Sequence, residues 1–480
     1  MTPPRLPLFR ALPWLALPAL SVLAGCTAGP DYQRPALQTP AAFRHDAGWS
    51  TVPAPGSTPG AAPDTASWSL FADPALQSLL DESGRSNQTI AQAEARFRQA
   101  QARLDGNRAD RLPQLTANAG ATRSGGGGGS NSSSDNDRSA GTRYNAGLQL
   151  SWTPDLWGRV RRLVEAGQAG LQASAADVAG ARLAVQSLAA QAYFQLRIID
   201  RQNALLQQTL ASYDRALQLT RNQYDAGLVA RADVIQSETQ RESLRVQIFE
   251  LARVRTQTEH AVAVLLGRAP GDWQLAPEGG FALSLPAVPG TLPSTLLLRR
   301  PDVVVAERQV AAANAAIGVA QSAWWPDLTL SASAGGNASQ LARLLDTPSR
   351  VWSLGPTLAA TLFDGGRRAA LTAEAQAQYD ERVAAYRQSA LVAWQEVEDA
   401  LSGLLSLAGQ AAQQQRLVAL AQENERVVTN RYREGLVNFL ELSTAQNLTY
   451  TSQRAALETL GLQLATQVRL VAALGGGWTP

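Results

Sequence analysis

Side chains capable of covalent or acid–base chemistry are scarce in this chain of 480 residues. It contains one cysteine, Cys26, and two histidines, His45 and His260, and all 42 of its basic residues are arginine. Without lysine there is no Walker A phosphate loop and no Schiff-base nucleophile. One cysteine and two widely separated histidines leave too little for a zinc site, a Ser-His-Asp triad or an intrachain disulfide. The composition therefore predicts a protein that is not an enzyme and that has no metal site or catalytic cofactor.

The one thiol follows a segment that is typical of a secretory signal. Arg5 and Arg10 form a short basic region, and the apolar run of thirteen residues after them is too short to span a bilayer. The run ends in Leu-Ala-Gly-Cys at 23–26, which matches the box where bacterial lipoproteins are cleaved and acylated. We therefore expect residues 1–25 to be a signal peptide and Cys26 to carry N-acyl and S-diacylglycerol lipid. The alternative is a chance cysteine behind the signal of an unlipidated secreted protein.

The residue after Cys26 and the charge balance bear on location and partners. Thr27 stands where an aspartate tends to retain bacterial lipoproteins at the inner membrane, so the outer membrane is favoured. Removal of the signal takes two arginines and no acidic residue, which leaves 40 arginines against 40 acidic residues. No basic tract remains that would bind nucleic acid. We expect a neutral protein anchored in outer-membrane lipid.

Two long stretches without proline predict two unusually long helices. After a Pro-, Gly-, Ser- and Thr-rich tether at 26–67, the chain becomes rich in alanine, glutamine and leucine. The stretches Arg159–Asn222 and Arg367–Asn430 would each form a helix of about 95 Å. Apolar residues recur in them every seven positions, which predicts left-handed supercoiling, with an ordinary helical bundle as the alternative. The two series are Leu171, Val178, Val185, Ala192, Ile199, Leu206 and Tyr213, and then Val383, Ala390, Val397, Leu404, Ala411 and Val418. Shorter helices are predicted at about 76–109, 231–266, 302–322 and 438–473.

Four other segments alternate between apolar and polar residues, which predicts strands. They lie at 115–122, 144–152, 328–334 and 352–362, and Pro356 in the last of them indicates a bulge or an edge position. Small polar residues on one face are typical of a strand between lipid and water, although a soluble sheet alternates too. The Gly-, Ser- and Asn-rich connection between the first two strands suits an exposed outer-surface loop.

The order strand, loop, strand, long helix, turn, helix occurs twice. An offset of 208 residues relates Arg159 to Arg367, and it also relates Tyr224 to Tyr432. We therefore divide the chain into a first repeat at 68–267, a linker at 268–292, a second repeat at 293–474 and a tail at 475–480.

Four strands do not close a membrane barrel, because the narrowest known barrels have about eight. Lipid does not tolerate open strand edges, so several copies must pool their strands. Each long helix is expected to begin directly where a strand ends, so that the barrel continues into a helical tube. The predicted fold is a mixed α/β membrane protein that forms a conduit.

The chain resembles the outer membrane efflux protein family, the TolC-like outer membrane factors, and specifically their lipoprotein branch. The resemblance covers about residues 68–478. It rests on the following motifs in order: WSLFADP at 68–74, WTPDLWGR at 152–159, LLG at 265–267, LRRPD at 298–302, LFDGGR at 362–367, EVED at 396–399 and ALGGGW at 473–478. It implies a homotrimer with a twelve-stranded barrel and a periplasmic α-barrel. It also implies a passive exit duct docked to a periplasmic adaptor (membrane fusion protein) and an inner-membrane RND-type pump.

The resemblance also assigns roles to residues at the turns between the paired helices. It implies that the adaptor docks at the helix tips, at Gly227 and Leu228 in the first repeat and at Gly435 and Leu436 in the second. Turn geometry alone is the alternative explanation of the glycines.

Just beyond the second turn, Leu440, Glu441 and Thr444 match positions that narrow the closed pore in the family. Three copies of Glu441 around one axis would favour cations. Ser443 and Thr444 depart from the leucine and aspartate of many relatives, so this gate is expected to differ in detail. An ordinary solvated role for Glu441 stays open.

At the predicted junction of barrel and tube, Gly158-Arg159 and Gly366-Arg367 begin the long helices. Cations are unfavourable at helix N-termini, so we expect these arginines to meet carboxylates or lipid headgroups. Four tryptophans suit the aromatic belt of a membrane barrel, namely Trp152, Trp324, Trp325 and Trp352.

Two other functions remain open from the sequence. One is the outer-membrane duct of a type I protein secretion system, which belongs to the same family. The other is a soluble periplasmic coiled-coil scaffold held by its lipid, against which the four alternating segments argue. For an efflux duct, the cargo would be drugs, solvents or metals.

Overall fold

The computed structural model describes residues 27–37, 43, 67–125, 141–280 and 294–476. The predicted signal peptide, Cys26, most of the tether, residues 126–140 of the predicted outer loop and the last four residues lie outside the described residues. In chain order the main elements are α1 (Pro74–Ser86), α2 (Gln88–Ala109), β1 (Gln114–Ser124), β2 (Gly141–Trp152), α3 (Arg159–Asp225), α4 (Arg231–Leu265), α5 (Pro301–Ser322), β3 (Asp327–Ala338), β4 (Arg350–Ala359), α6 (Arg367–Arg433) and α7 (Phe439–Ala473).

The predicted repeat is present in the helix lengths. Helices α3 and α6 each have 67 residues, and α4 and α7 each have 35. At a rise of 1.5 Å per residue, the two long helices extend about 100 Å. Within the described residues, both repeats share the order strand, strand, long helix, helix, which two helices precede in the first repeat and one in the second.

The single helix predicted at 76–109 is wrong, because the chain breaks at Asn87. This residue has extended backbone dihedral angles, with φ −69° and ψ 129°. Its Oδ1 accepts hydrogen bonds from the backbone N–H of Thr89 at 2.8 Å and of Ile90 at 3.3 Å. Asparagine is favoured at this capping position, so Asn87 ends α1 and begins α2.

All four predicted strands form one antiparallel sheet in the order β1-β2-β3-β4. β1 and β4 are therefore the edge strands of the single chain, and the edge position predicted for Pro356 is confirmed. Strands that follow one another in the chain are also neighbours in the sheet, so each of the two repeats contributes two adjacent strands.

The chain divides into two compact units. One comprises residues 1–35, 98–173 and 306–385 and contains the sheet. The other comprises residues 36–97, 174–305 and 386–480. One apolar cluster in it packs Leu76 and Leu80 of α1 against Tyr193 of α3 and Val468 of α7. The predicted heptad positions Val185, Ile199, Leu206, Tyr213, Ala390, Val397 and Leu404 are buried. The other six predicted heptad positions are partly buried. The seven-residue period therefore marks the packed side of both long helices, and left-handed supercoiling stays a prediction.

Candidate channel wall, junction and helix tips

The register of the sheet separates apolar from polar side chains. Paired residues on neighbouring antiparallel strands lie on the same face, and side chains alternate along each strand. One face carries Leu115, Ala117, Ala119, Leu148, Leu150, Leu328, Leu330, Ala332, Trp352, Leu354 and Leu358. The opposite face carries Thr116, Asn118, Thr122, Asn145, Gln149, Ser151, Thr329, Ser331, Ser333, Ser353 and Thr357. The sheet thus has one side suited to hydrocarbon and one suited to water.

The apolar face is exposed in the single chain. Leu354 has 77% of its surface exposed, and Leu148 has 50%. On the polar face, the hydroxyl groups of Ser333 and Ser353 lie 2.8 Å apart across β3 and β4. A soluble protein rarely leaves such a continuous apolar face uncovered, so contact with lipid is the best explanation of this surface.

Tryptophans lie towards both ends of the sheet. Next to β3, Trp325 stacks on Trp157 with ring centroids 4.8 Å apart, and the indole N–H of Trp157 donates to the Pro326 carbonyl at 2.7 Å. The indole N–H of Trp152 donates to the Arg111 carbonyl at 3.0 Å. Trp352, which is 80% exposed, lies towards the other end of the sheet. This distribution fits the predicted aromatic belts of a membrane barrel.

Short links separate the strands from the long helices, so the expectation that each helix begins directly at a strand end is wrong. Six residues lie between β2 and α3, and seven lie between β4 and α6. In the first link, the Asp155 carboxylate accepts from the backbone N–H of Val160 at 2.9 Å and of Arg161 at 2.8 Å. In the second, the Asp364 carboxylate accepts from Gly366 at 3.0 Å and from Arg368 at 3.1 Å. The links therefore carry the carboxylates that cap both long helices.

The four predicted junction residues are a glycine at the end of each link and an arginine at the start of each long helix. Gly158 and Gly366 have positive φ angles of 80° and 91°, which glycine adopts without strain. Arg159 and Arg367 are exposed, and neither forms an ion pair with a capping carboxylate. Those ion pairs are made by Arg161 with Asp155 and by Arg368 with Asp364. The anions required at the helix N-termini come from the capping aspartates.

The second junction carries an additional aromatic contact. The Arg368 guanidinium pairs with Asp364 at 2.7 Å and lies over the Trp324 ring, 4.8 Å from its centroid. The hydrogen bond from the Arg368 side chain, with that from its backbone, holds the pKa of Asp364 below its usual value. Asp364 thus stays ionised where the helix dipole favours negative charge.

A buried arginine binds the segment that follows Cys26. The guanidinium of Arg162 donates to the carbonyls of Ala28 and Gly29 at 3.0 Å each. It also pairs with Asp31 at 3.0 Å and with Glu165 at 2.7 Å. Burial lowers the pKa of Arg162, but the hydrogen bonds from Glu165 and Asp31 outweigh it, and the pKa is raised overall. Arg162 therefore holds the backbone of the N-terminal segment through charge-assisted hydrogen bonds.

Helix α5 forms the other wall of this N-terminal dock, which we define as Arg162, Glu307, Asn314 and Gly318. Asn314 donates to the Pro30 carbonyl at 2.9 Å, and the Tyr32 hydroxyl donates to the buried Glu307 at 2.5 Å. Gly318 lies directly against Gly29, where a side chain would collide with the backbone. The dock holds residues 28–32 in one defined path.

The two predicted helix tips have the same backbone geometry. Gly227 and Gly435 both have φ 73°, and no atom lies within 4 Å of where a β-carbon would be. The N–H of Leu228 donates to the carbonyl five residues before it at 2.8 Å, and that of Leu436 does so at 2.9 Å. These are Schellman motifs, which end a helix with glycine. Both leucines are exposed, by 74% and 68%.

The tyrosines that precede the two tips differ, although the repeat relates them. Tyr432 is buried, and its hydroxyl lies 2.8 Å from that of Thr220. Tyr224 is 41% exposed. The apolar cluster at this end is completed by Phe439 and Leu442 of α7. The second tip is thus tied to the end of α3, whereas the first presents its tyrosine to the surface.

The three predicted gate residues share one exposed side of α7. Leu440, Glu441 and Thr444 are exposed, while Phe439 and Leu442 are buried. The Thr444 hydroxyl donates to the Leu440 carbonyl at 2.7 Å. The Asn438 side chain caps the helix by accepting from the Glu441 N–H at 3.0 Å. The structure therefore brings these side chains together on a surface that is free to face a neighbour or a pore.

Sequence reasoning missed the buried polar contacts that secure the helices. Asp73 caps α1 and accepts a hydrogen bond from the Tyr193 hydroxyl at 2.7 Å. Burial, reinforced by Asp73, raises the pKa of Tyr193 to about 12, so the hydroxyl keeps its proton. Arg300 pairs with Asp302 and Glu396 at 2.8 and 2.7 Å. Asp73, Arg300 and Glu396 lie in three of the sequence motifs given above, WSLFADP, LRRPD and EVED. The motifs themselves do not indicate which residues these side chains contact.

Comparison with known proteins agrees with this architecture. The profile described as Outer membrane efflux protein matches residues 79–268 and 292–476. The chain belongs to the outer membrane efflux protein family. The predictions of a non-enzymatic protein, an outer-membrane location and a role as an efflux channel component are thereby confirmed.

Individual efflux proteins resemble the chain over nearly its whole length. It is 28% identical to the probable outer membrane lipoprotein SilC of Salmonella typhimurium, over 97% of the chain and 98% of that protein. It is 31% identical to the toluene efflux pump outer membrane protein TtgF of Pseudomonas putida, over 96% of each. The solved outer-membrane channel OprN superposes with a TM-score of 0.83 at 30% identity, covering 95% of this chain and all of that one. The mixed α/β channel fold is therefore shared with known outer-membrane channels.

Proposed function

We propose that three copies of the chain pool their sheets into one twelve-stranded barrel, which a helical tube extends into the periplasm. The observation that carries this proposal is the open four-stranded sheet, with a lipid-compatible face and two unpaired edge strands. Each edge would pair with the edge of the next copy, since unpaired backbone groups are costly in lipid. The assembly is a passive exit duct of a tripartite efflux system.

An exposed apolar stripe on α4 supports association of copies along the helices as well. Ile235, Val246 and Phe249 are exposed by 52%, 68% and 77%, and their spacing puts them on one side of the helix. Isolated exposed apolar residues are ordinary, but a stripe of this kind marks a contact surface. A second copy is the partner expected there.

The partners and cargo follow from the family. We propose a periplasmic adaptor, docked at the helix tips, and an inner-membrane RND-type pump. TtgF is named as the outer membrane protein of a toluene efflux pump, so small molecules such as drugs, solvents or metals are the proposed cargo. The type I secretion duct remains the second candidate. The exposed apolar sheet argues against the soluble scaffold.

The test of the proposed duct is single-channel recording with the purified protein in planar bilayers. A discrete, mostly closed, cation-preferring channel is expected. Absence of any conductance from a protein with the expected oligomer mass would contradict the proposal.

Glu441→Gln is expected to lower the cation preference of that channel several-fold. The reason is that three carboxylates around one axis would be neutralised together. Glu423→Gln is the control, because it removes another exposed carboxylate, from helix α6, where it pairs with Arg426. Unchanged selectivity in Glu441→Gln, or an equal loss in the control, would remove Glu441 from the gate.

We propose that Cys26 carries the lipid anchor and that the N-terminal dock fixes where the lipid enters the membrane. Ala28 donates its backbone N–H to the Trp157 carbonyl at 3.0 Å, and Trp157 stacks on Trp325. Cys26 is thus two residues before Ala28, which contacts Trp157, the stacking partner of Trp325. This arrangement suits an anchor held at the level of the aromatic belt.

Arg162→Met is expected to release residues 27–32 while leaving the lipid in place. The substitution keeps the aliphatic packing but removes the hydrogen bonds to two carbonyls. Amide exchange of this segment, followed by mass spectrometry, should accelerate at least tenfold. Arg161→Met is the matched control, since Arg161 is half-exposed and pairs only with Asp155 among the described residues. Unchanged exchange in Arg162→Met would show that the dock does not hold the segment.

A further inference from the structure

Four arginines surround the ends of the strands that are remote from the helices. Arg123 is near the end of β1, Arg143 near the start of β2, Arg350 at the start of β4, and Arg343 in the connection between β3 and β4. All four are exposed, and none forms an ion pair with any residue that the structure describes. By contrast, arginines of the helices such as Arg162 have two carboxylate partners.

The register assigns these arginines to different faces of the sheet. Arg123 pairs with Thr142 and Arg350 pairs with Gly336, which puts both on the apolar face. Arg143 pairs with Thr122 and belongs to the polar face. Two arginines therefore stand on the side proposed to contact lipid, where no water-filled lumen is available to solvate them.

The connection between β3 and β4 folds back onto the same side. The carbonyl of Leu344 lies so close to Gly336 that a β-carbon there would collide with it. Since that β-carbon would point to the apolar face, the turn that contains Arg343 approaches the sheet from this face. Asp346, the single acidic residue of the connection, forms no ion pair with Arg343 or Arg350. Among the described residues, the outer rim of the apolar face therefore has a net positive charge, with Arg123, Arg343 and Arg350 against Asp346.

Resting on the shared barrel proposed above, we propose that the rim binds the phosphate groups of an outer-leaflet lipid. When β4 of one copy pairs antiparallel with β1 of the next, Arg350 and Arg343 of the first meet Arg123 of the second on the lipid side. The site is complete only in the assembly, and a trimer has three. The guanidinium group binds phosphate through two parallel hydrogen bonds, and basic residues at a membrane surface bind anionic headgroups. The occupant is a phosphorylated lipid A.

The test is native mass spectrometry of the purified protein with bisphosphorylated lipid A. Lipid A without phosphates, carrying the same acyl chains, and inorganic phosphate are the comparison ligands. We expect binding of about three lipid A molecules per trimer, at least tenfold weaker binding of the dephosphorylated lipid, and no competition by millimolar inorganic phosphate. Equal binding of both lipids, or displacement by inorganic phosphate, would overturn the assignment.

Substitutions of the rim arginines distinguish the proposed site on the apolar face from the polar face of the sheet. Arg123→Gln combined with Arg350→Gln should weaken lipid A binding at least tenfold, while Arg350→Lys should retain most of it. Arg143→Gln is the matched control, one register position away on the opposite face, and should bind lipid A like the parent. An equal loss in Arg143→Gln, or no loss in the double variant, would overturn the proposal. The same spectra report the oligomer, so a trimer without lipid A refutes only this site, whereas a monomer refutes the shared barrel.

Discussion

The Leu148→Arg substitution is expected to prevent the chain from accumulating as a folded outer-membrane protein, whereas Gln149→Arg is expected to leave it folded. The two residues are neighbours near the middle of β2, but Leu148 is on the apolar face and Gln149 on the polar face. Arginine facing lipid near the bilayer midplane costs about 2–4 kcal/mol, whereas a polar lumen tolerates it. Each chain of the assembly carries this cost.

The measurement is the amount of heat-modifiable oligomer in the outer-membrane fraction, by gel electrophoresis with and without boiling. Leu148→Ala is the control that removes apolar surface without adding charge, and it should reduce the yield only slightly. If Leu148→Arg and Gln149→Arg accumulated to the same level, the assignment of the two faces to lipid and lumen would be wrong.

Combined Leu228→Arg and Leu436→Arg substitutions are expected to abolish efflux while leaving the assembled channel intact. Both side chains are mostly exposed at the helix tips, so they contribute little to the core of the chain. Their remaining role is an apolar contact with a partner. Truncating or charging the central apolar residues of an interface commonly costs 2 kcal/mol or more each, so the two together should weaken docking at least 100-fold.

Efflux of a fluorescent substrate in a strain that lacks its own copy of the gene measures the effect, and cross-linking to the adaptor measures docking. Leu420→Arg is the matched control, because Leu420 is an equally exposed leucine of α6 that lies sixteen residues before the tip. Normal efflux and normal cross-linking in the tip variant would contradict adaptor docking at these turns.

The sequence predicts the regular elements of this fold closely, for identifiable reasons. Proline-free stretches followed by glycine define the long helices, and the predicted ends Asn222 and Asn430 fall three residues short of the observed ones. Strict alternation defines the strands, since each one separates an apolar face from a polar one. Both patterns are local and repeated, which is why they can be recognised without a structure.

The contacts that hold the candidate sites in place could not be predicted, because they join residues far apart in the chain. Nothing near Arg162 indicates that it binds the carbonyls of Ala28 and Gly29, more than 130 residues earlier. The helix break at Asn87 could have been inferred, since Gly84, Ser86 and Asn87 are poor helix formers and asparagine is a favoured helix cap. The capping role of Asp155 could have been inferred, since aspartate before a helix is a common cap.

The shared barrel is tested most directly by the mass of the intact protein, extracted from the outer membrane in detergent and measured by native mass spectrometry. We expect one dominant species of three chains, each beginning at Cys26 and carrying the mass of its lipid. A monomer, or a protein absent from the outer-membrane fraction, would contradict the shared barrel and with it the proposed duct.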